Sequence, residues 1–396
     1  MDVASASRPL PSRFRRAERA AAATTFVRNL DWLLLGTVAA LVAYGLWAIA
    51  GITKHDVAGS ERYYVVRQGV YAAMGAVGLL AALLVPVERL RAHRRTVFAL
   101  LIGLLVLVLL AAEFTRGSKR WIDLGFFQFQ PSEFGKVLFA LVLAAVVADA
   151  GKRIGEWSTV VRAIGLALVP IALVFLQPDL GTTLVYCAAL AAILFVGGVR
   201  WPHLFVLGSV AALVAVALLW ALPAAGVEVL KPYQTERLTG FTNPDADPSG
   251  STYNVNQSIT AVGAGGLRGR GVDGATQTNL DYLPEHATDF VFASLSEQRG
   301  FLGAAALLLL YLLLLWRGIR IVSLAPDAFS MLVAAGIVFM LLFQIFVNVG
   351  MTMGIAPVTG IPLPFLSVGG SSMVTNLIAM GLLVGIHARG RSAQRR

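Results

Sequence analysis

The sequence predicts an all-α polytopic membrane protein of about ten transmembrane helices, with a large extracytoplasmic loop between the seventh and eighth. Three observations carry that fold class. The 396 residues are 57% hydrophobic and only 14% charged, with a mean hydropathy of +0.74; a soluble chain carries about a quarter charged residues. Apolar runs long enough to cross a bilayer recur along the chain. The basic residues that give the net charge of +10 sit in short clusters between those runs, which argues against nucleic-acid binding.

Residues 1–29 hold Arg8, Arg13, Arg15, Arg16, Arg19 and Arg28 without a long apolar core. That pattern predicts a basic cytoplasmic tail beside anionic lipid and not a cleavable signal peptide. A transmembrane domain over 30–388 follows. Its predicted spans are 32–52, 64–86, 96–113, 133–150, 160–176, 180–198, 203–222, 290–315, 326–350 and 365–386. Residues 389–396 form a second basic tail. The clusters at Glu88–Arg95, Lys152–Arg153, Arg317/Arg320 and the C-terminus alternate with the spans so that all face the cytoplasm. Both termini then lie inside. Residues 53–63, 114–132, 223–289 and 351–364 lie outside. Arg116, Lys119 and Arg120 break the charge rule there, as expected if an anionic ligand binds on that side. The single Cys187 lies in an apolar run and reads as a small buried hydrophobe, so a disulfide framework is excluded.

The 223–289 loop is too long for a simple connector. Its sparse apolar residues predict short amphipathic pieces lying on the membrane. The run Gly263-Ala-Gly-Gly-Leu-Arg-Gly-Arg-Gly271 lacks the strand and lysine of a nucleotide loop. It reads equally as a flexible turn or as backbone that approaches phosphate beside Arg268 and Arg270.

The ionisable groups near or inside the membrane are the candidate functional residues, because such groups are expensive there. Glu285, His286, Asp289, Glu297 and Arg299 cluster where the long loop enters the eighth span. Asp289 reads either as a carboxylate facing a wet cavity or, with Thr288, as a plain helix N-cap. Glu297 follows by eight residues, which on one straight helix puts the two on one face roughly 12 Å apart, with Gln298 and Arg299 as internal partners of Glu297. Glu133 and Lys136 are spaced to share a helix face and neutralise each other. Asp179 sits in the Pro-Gly break between two spans, as a cap or as part of an outer cavity. Near the C-terminus, residues 354–372 hold three prolines and repeated glycines, so a continuous helix from 326 to 386 is excluded; a tight structural re-entry is expected.

Five of these stretches, in order, resemble the SEDS family (shape, elongation, division and sporulation): Lys119-Arg-Trp-Ile122, Phe129-Gln-Pro-Ser-Glu-Phe-Gly-Lys136, Gln177-Pro-Asp-Leu-Gly-Thr182, Leu283-Pro-Glu-His-Ala-Thr-Asp-Phe290 and Pro364-Phe-Leu-Ser-Val-Gly-Gly-Ser-Ser372. The segment Gly274–Pro284 is more similar to the RodA branch than to the FtsW branch. Val368 and Gln298-Arg299 depart from the family's usual residues. The resemblance implies a peptidoglycan glycosyltransferase that polymerises lipid II on the outer leaflet of the bacterial plasma membrane during cell elongation. It implies a class B penicillin-binding protein (a transpeptidase) and other elongation-machinery membrane proteins as partners. It makes Asp289 the essential carboxylate and places Lys119, Trp121, Glu133, Lys136 and Asp179 in the motif-bearing cavity.

The chemistry of that reaction fits the residue types. A polyprenyl pyrophosphate is already a good leaving group, so one carboxylate acting as general base on the acceptor hydroxyl suffices. Cations must offset the pyrophosphate charge, and Lys119, Arg120, Arg268 and Arg270 are candidates. Trp121, Asp179 and Glu285 complete the expected substrate-binding set. No His/Cys metal spacing is present, while a divalent cation such as Mg or Mn is compatible with the chemistry. A lipid II transporter (flippase) and a noncatalytic scaffold activating a partner enzyme are the alternative functions.

Overall fold

The computed structural model describes residues 26–111, 120–227, 229–230, 234–235 and 252–394. Ten apolar helices account for the ten predicted spans. They are α1 (Trp32–Ile52), α2 (Tyr63–Leu84), α4 (Arg94–Ala111), α5 (Pro131–Ala150), α6 (Trp157–Leu176), α7 (Leu180–Val196), α8 (Trp201–Val216), α11 (Val291–Ser323), α12 (Ala328–Thr352) and α13 (Gly370–Gln394). The shorter helices include α3 (Val87–Ala92), α9 (Tyr253–Gly265) and α10 (Thr276–Asn279). A two-stranded antiparallel hairpin, β1 (Ile122–Asp123) and β2 (Gln128–Phe129), lies between α4 and α5, with Ile122 opposite Phe129 and Asp123 opposite Gln128. The chain is a multi-span helical membrane protein.

Burial sorts the helices into centre and rim. The apolar window of α13 is 94% buried, that of α12 72% and that of α5, extended through Gly155, 61%; the window from Trp201 to Ala224 is 0% buried. α13 carries Ser371, Ser372, Thr375, Asn376 and His387 and is the helix that protein surrounds most completely. A helix facing lipid must be apolar all round, whereas one inside a bundle can carry polar groups and use small residues for close approach. Gly381 is such a point: a Cβ there would sit 2.2 Å from the Leu79 carbonyl oxygen of α2.

Local chemistry sets several helix starts. Asp31, Asp179 and Asp327 cap α1, α7 and α12, accepting from the backbone N–H of Leu34, of Thr182 and of both Phe329 and Ser330. Pro131 opens α5, where its missing N–H costs nothing. Asp31 also pairs with Arg317, at 2.5 Å, and ties α1 to α11.

Several expectations are corrected. α9 packs against α11, burying Val255, Ser258 and Ala261. Cys187 is exposed on the lipid-facing side of α7. α11 is not one straight helix. Gly300, at φ 64° and ψ −165°, breaks it into two pieces. The Gly-rich segment docks at this break through Arg270 N–H to Glu297 O (2.9 Å), Gly271 N–H to Gln298 O (3.0 Å) and Phe301 N–H to Gly266 O (2.8 Å). Gly269, at φ 81°, lies so close that a Cβ would meet the Gln298 carbonyl at 2.3 Å. The run Gly263–Gly271 is therefore a backbone dock at a helix break, not a flexible turn.

Candidate active site

Three groups of candidate residues gather at one end of the bundle. The first is built on the hairpin. Trp121 Nε1 donates to Gln130 Oε1 at 3.1 Å, and Gln130 Nε2 donates to Ser132 Oγ and Asp179 Oδ2, both at 3.2 Å. Arg120 donates to the Pro178 carbonyl, and its other terminal nitrogen stands 3.8 Å from Asp179 Oδ1. Ser371 of α13 binds both ends of the turn into α5, accepting from Gln130 N–H at 2.9 Å and donating to Gln128 O at 2.8 Å. Asp179 thus caps α7 and also joins the cluster, so the two roles foreseen for it are not exclusive. Lys119 lies outside the described residues.

The second group is the pair Glu133–Lys136, one turn into α5. Lys136 Nζ stands 2.8 Å from each carboxylate oxygen, and the two side chains are 2% and 4% exposed. Burial at that depth makes mutual neutralisation obligatory. Gln344, Thr375 and Asn376 line the narrow gap beside Lys136.

The third group is the segment 281–290. Asp289 is half-buried and precedes α11 in a turn; the N-cap position belongs to Phe290, with no side-chain cap. The N-cap reading of Thr288 or Asp289 is therefore corrected, and so is the shared helix face with Glu297, because Asp289 is not in the helix. Its backbone is held from three sides. Asn348 Nδ2 donates to Asp289 O at 2.9 Å, Ser367 Oγ to Thr288 O at 2.6 Å, and Val368 N–H to Ala287 O at 3.0 Å. Gln68 of α2 fixes the other side of that re-entrant segment, donating to Ser367 O at 3.0 Å and accepting from Gly369 N–H at 3.2 Å. Glu285 adopts φ 55°, and its Oε2 accepts from Thr288 Oγ1 at 2.9 Å. His286 Nε2 lies 3.1 Å from both carboxylate oxygens of Asp56. Burial, the largest single influence, lowers the His286 pKa, but the hydrogen bond and charge of Asp56, with Asp281 and the Leu283 carbonyl, together make the net shift upward.

Residues 363–371 join the groups, since Ser367 and Val368 bind the Asp289 segment and Ser371 binds the hairpin. Arg268 and Arg270 stand apart. Both are exposed, and among the described residues neither is hydrogen-bonded or ion-paired to Asp289 or Asp179. Arg270 spends Nε on Ala264 O (3.1 Å) and Nη1 on Thr276 Oγ1 (3.4 Å). Glu297 is not paired with Gln298 or Arg299. It accepts from Gln277 N–H (2.8 Å), Thr278 N–H (3.0 Å) and Thr278 Oγ1 (2.8 Å), which anchors the loop to α11. Arg299 instead stacks on Trp47, and Gln298 reaches Gly51 O.

Sequence reasoning missed Asn348, Gln68 and Gln130. A usable signal existed for the first two: an amide inside an apolar span needs a partner.

The chain matches the model of the FtsW/RodA/SpoVE family of cell cycle proteins over residues 29–392. It is 37% identical over 362 residues to stage V sporulation protein E of Bacillus subtilis, covering 91% of this chain and 95% of that one. It is 35% identical to the peptidoglycan glycosyltransferase RodA of Treponema pallidum, covering 92% and 98%. A solved chain from a peptidoglycan synthase complex described as coordinating polymerization and crosslinking superposes with a TM-score of 0.77 at 32% identity, covering 91% of this chain and 98% of that one. A chain matched along nearly its whole length by these sequences, with this ten-helix bundle, belongs to the SEDS family of FtsW, RodA and SpoVE.

Proposed function

We propose that this chain, a peptidoglycan glycosyltransferase like its named relatives, polymerises lipid II into glycan strands during elongation, with Asp289 as general base. One observation carries the assignment of Asp289: a half-buried carboxylate stands just before α11, on backbone fastened by Asn348, Ser367 and Val368. Fixing a base to such a frame is what positioning requires.

In the step, the acceptor hydroxyl oxygen bonds to the donor's anomeric carbon as the bond from that carbon to the pyrophosphate oxygen breaks, with inversion. The hydroxyl proton passes to the Asp289 carboxylate, and the pyrophosphate leaves with the bond's electron pair. Arg120 supports the leaving group at the hairpin, with Lys119 as a further cation, while Arg268 and Arg270 stand apart from this step. Trp121, Asp179 and Glu285 line the substrate's path. Among the described residues no three His, Cys, Asp or Glu side chains converge to cage a divalent cation. An Mg or Mn ion arriving on the pyrophosphate would need only one protein carboxylate, for which Glu285 is the candidate because Asp289 takes the proton.

Both termini face the cytoplasm in this reading, and the Asp289 segment faces outward, as the basic clusters require. The similarity of Gly274–Pro284 to the RodA branch supports the elongation role. The synthase complex that contains the similar chain supports a class B penicillin-binding protein as partner. Other elongation-machinery proteins then join in the membrane.

Purified protein with its partner and lipid II tests the reading by the appearance of glycan chains. Leaflet translocation without polymer would make the chain a flippase. Polymer made equally well by the partner with an Asp289→Asn chain would make it a scaffold.

A further inference from the structure

The end of the bundle that carries Asp289 holds a second feature, on the α2 side of the hairpin. A cleft of about 490 Å³ opens between the start of α2 and the hairpin. Arg62, Tyr63, Val66, Arg67 and Phe126 line it, and none of the described lining residues is acidic. The Asp56–His286 contact and the Gln68–Ser367 bond put this end of α2 on the Asp289 side.

The two arginines differ. Arg67 is built in: Nε donates to Tyr71 Oη at 3.2 Å, Nη1 to Tyr63 Oη at 2.5 Å and Nη2 to the Phe126 carbonyl at 2.8 Å. Its guanidinium also lies over the Tyr63 and Phe126 rings. The fold needs those bonds, since they tie the hairpin to α2, and they leave one N–H on each terminal nitrogen in a fixed direction. Arg62 has no such use. Its side chain is exposed and makes no hydrogen bond or ion pair with the described residues. Two guanidinium groups on one wall, with no carboxylate among the described lining residues, form an anion site.

Below the cleft the surface turns apolar. Val66, Val70, Met74 and Val77 are 60%, 39%, 43% and 68% exposed. Their spacing of four, four and three residues keeps them on one face of α2. A cationic head site above an apolar stripe fits an amphiphile whose head lies at the interface and whose chain runs down the helix. One guanidinium already partly used and one free suit a single negative charge better than a pyrophosphate.

We propose that this cleft binds the phosphate of an anionic glycerophospholipid, with an acyl chain along the Val66–Val77 face of α2. The site is separate from the Asp289 chemistry and does not depend on it.

Native mass spectrometry of the detergent-purified full chain tests this with phosphatidylglycerol, phosphatidylcholine of the same chains and a polyprenyl pyrophosphate. Phosphatidylglycerol should be retained over phosphatidylcholine. Arg62→Gln should cut that retention about fivefold, the effect of roughly 1 kcal/mol from one exposed charge. Arg62→Lys should restore part of it, and both variants should unfold at the wild-type temperature because the Arg62 side chain bonds to none of the described residues. Equal retention of the two phospholipids, or unchanged retention in Arg62→Gln, overturns the site. Displacement of phosphatidylglycerol by a lower concentration of polyprenyl pyrophosphate gives the cleft to the carrier lipid instead and overturns the assignment.

Discussion

Asn348, in the middle of the bundle, holds the backbone of Asp289 by one of its two amide hydrogens, at 2.9 Å, and the Ile361 carbonyl by the other, at 2.8 Å. The side chain is fully buried on α12. One residue thereby fixes the candidate base relative to the re-entrant segment that carries Ser367 and Ser371. Replacing it with Ala leaves two carbonyls without a donor, at about 1–3 kcal/mol for each that is fully buried. We expect Asn348→Ala to lower the unfolding temperature and to slow polymerisation by up to about 10²-fold, the cost of misplacing a catalytic group by an ångström. Asn348→Asp should do no better, because a carboxylate oxygen replaces the donor. A wild-type polymerisation rate in Asn348→Ala would remove it from any positioning role.

Asp289→Asn keeps shape and hydrogen-bonding capacity but cannot accept the acceptor's proton. Loss of a positioned general base costs about 10²–10⁴-fold in rate. The variant should still insert, survive detergent extraction and bind its partner. Full polymerisation at wild-type thermal stability would take Asp289 out of the catalytic role.

Glu133 and Lys136 are expected to fail singly and tolerate joint removal better. Breaking a buried pair strands a charge at a cost of about 3–5 kcal/mol, whereas removing both charges avoids that penalty. In a double-mutant cycle on thermal unfolding, Glu133→Ala with Lys136→Ala should cost clearly less than the two single losses together. Strict additivity would mean that the 2.8 Å contact carries no coupling.

The His286–Asp56 pair gives the Asp289 segment a pH dependence of fixed sign. Burial lowers the His286 pKa, but Asp56, with smaller help from Asp281 and the Leu283 carbonyl, raises it above 6.5 overall. A raised histidine contributes stability that is complete below its unfolded value and is lost as pH climbs through the folded one. Hydrogen exchange in residues 281–290 should therefore be slowest relative to the intrinsic rate at pH 5.5 and should rise toward pH 9. Asp56→Asn should flatten the profile. An unchanged profile in that variant would break the link.

Membrane spans were legible because insertion is decided locally. Each run of Leu, Val, Ala and Phe transfers into lipid on its own composition, whatever the rest of the chain does. The turn at Pro178, the broken region 354–369 and the cost of burying Glu133 and Lys136 were readable for the same reason, since proline geometry and charge desolvation are properties of a few neighbouring residues. The site itself was only half legible. Asp289, Asp179, Trp121 and Arg120 stood out as polar groups where water gives way to lipid, and the family resemblance singled out most of them. What holds them did not. Asn348 meets Asp289 across 59 residues and Gln68 meets Ser367 across 299. Composition pointed to one unbroken eighth span with Asp289 and Glu297 on one face, because hydropathy does not register a backbone dihedral. Only packing of the Gly-rich segment made a break at Gly300 the better solution, trading two intrahelical bonds for a ladder with residues 266–271. Glu297 is spent on Gln277 and Thr278, and Asp289 lies outside the helix because α11 begins only at Val291. Tertiary structure decided it because side-chain pairing and backbone docking depend on which helices become neighbours, and no local free energy contains that choice.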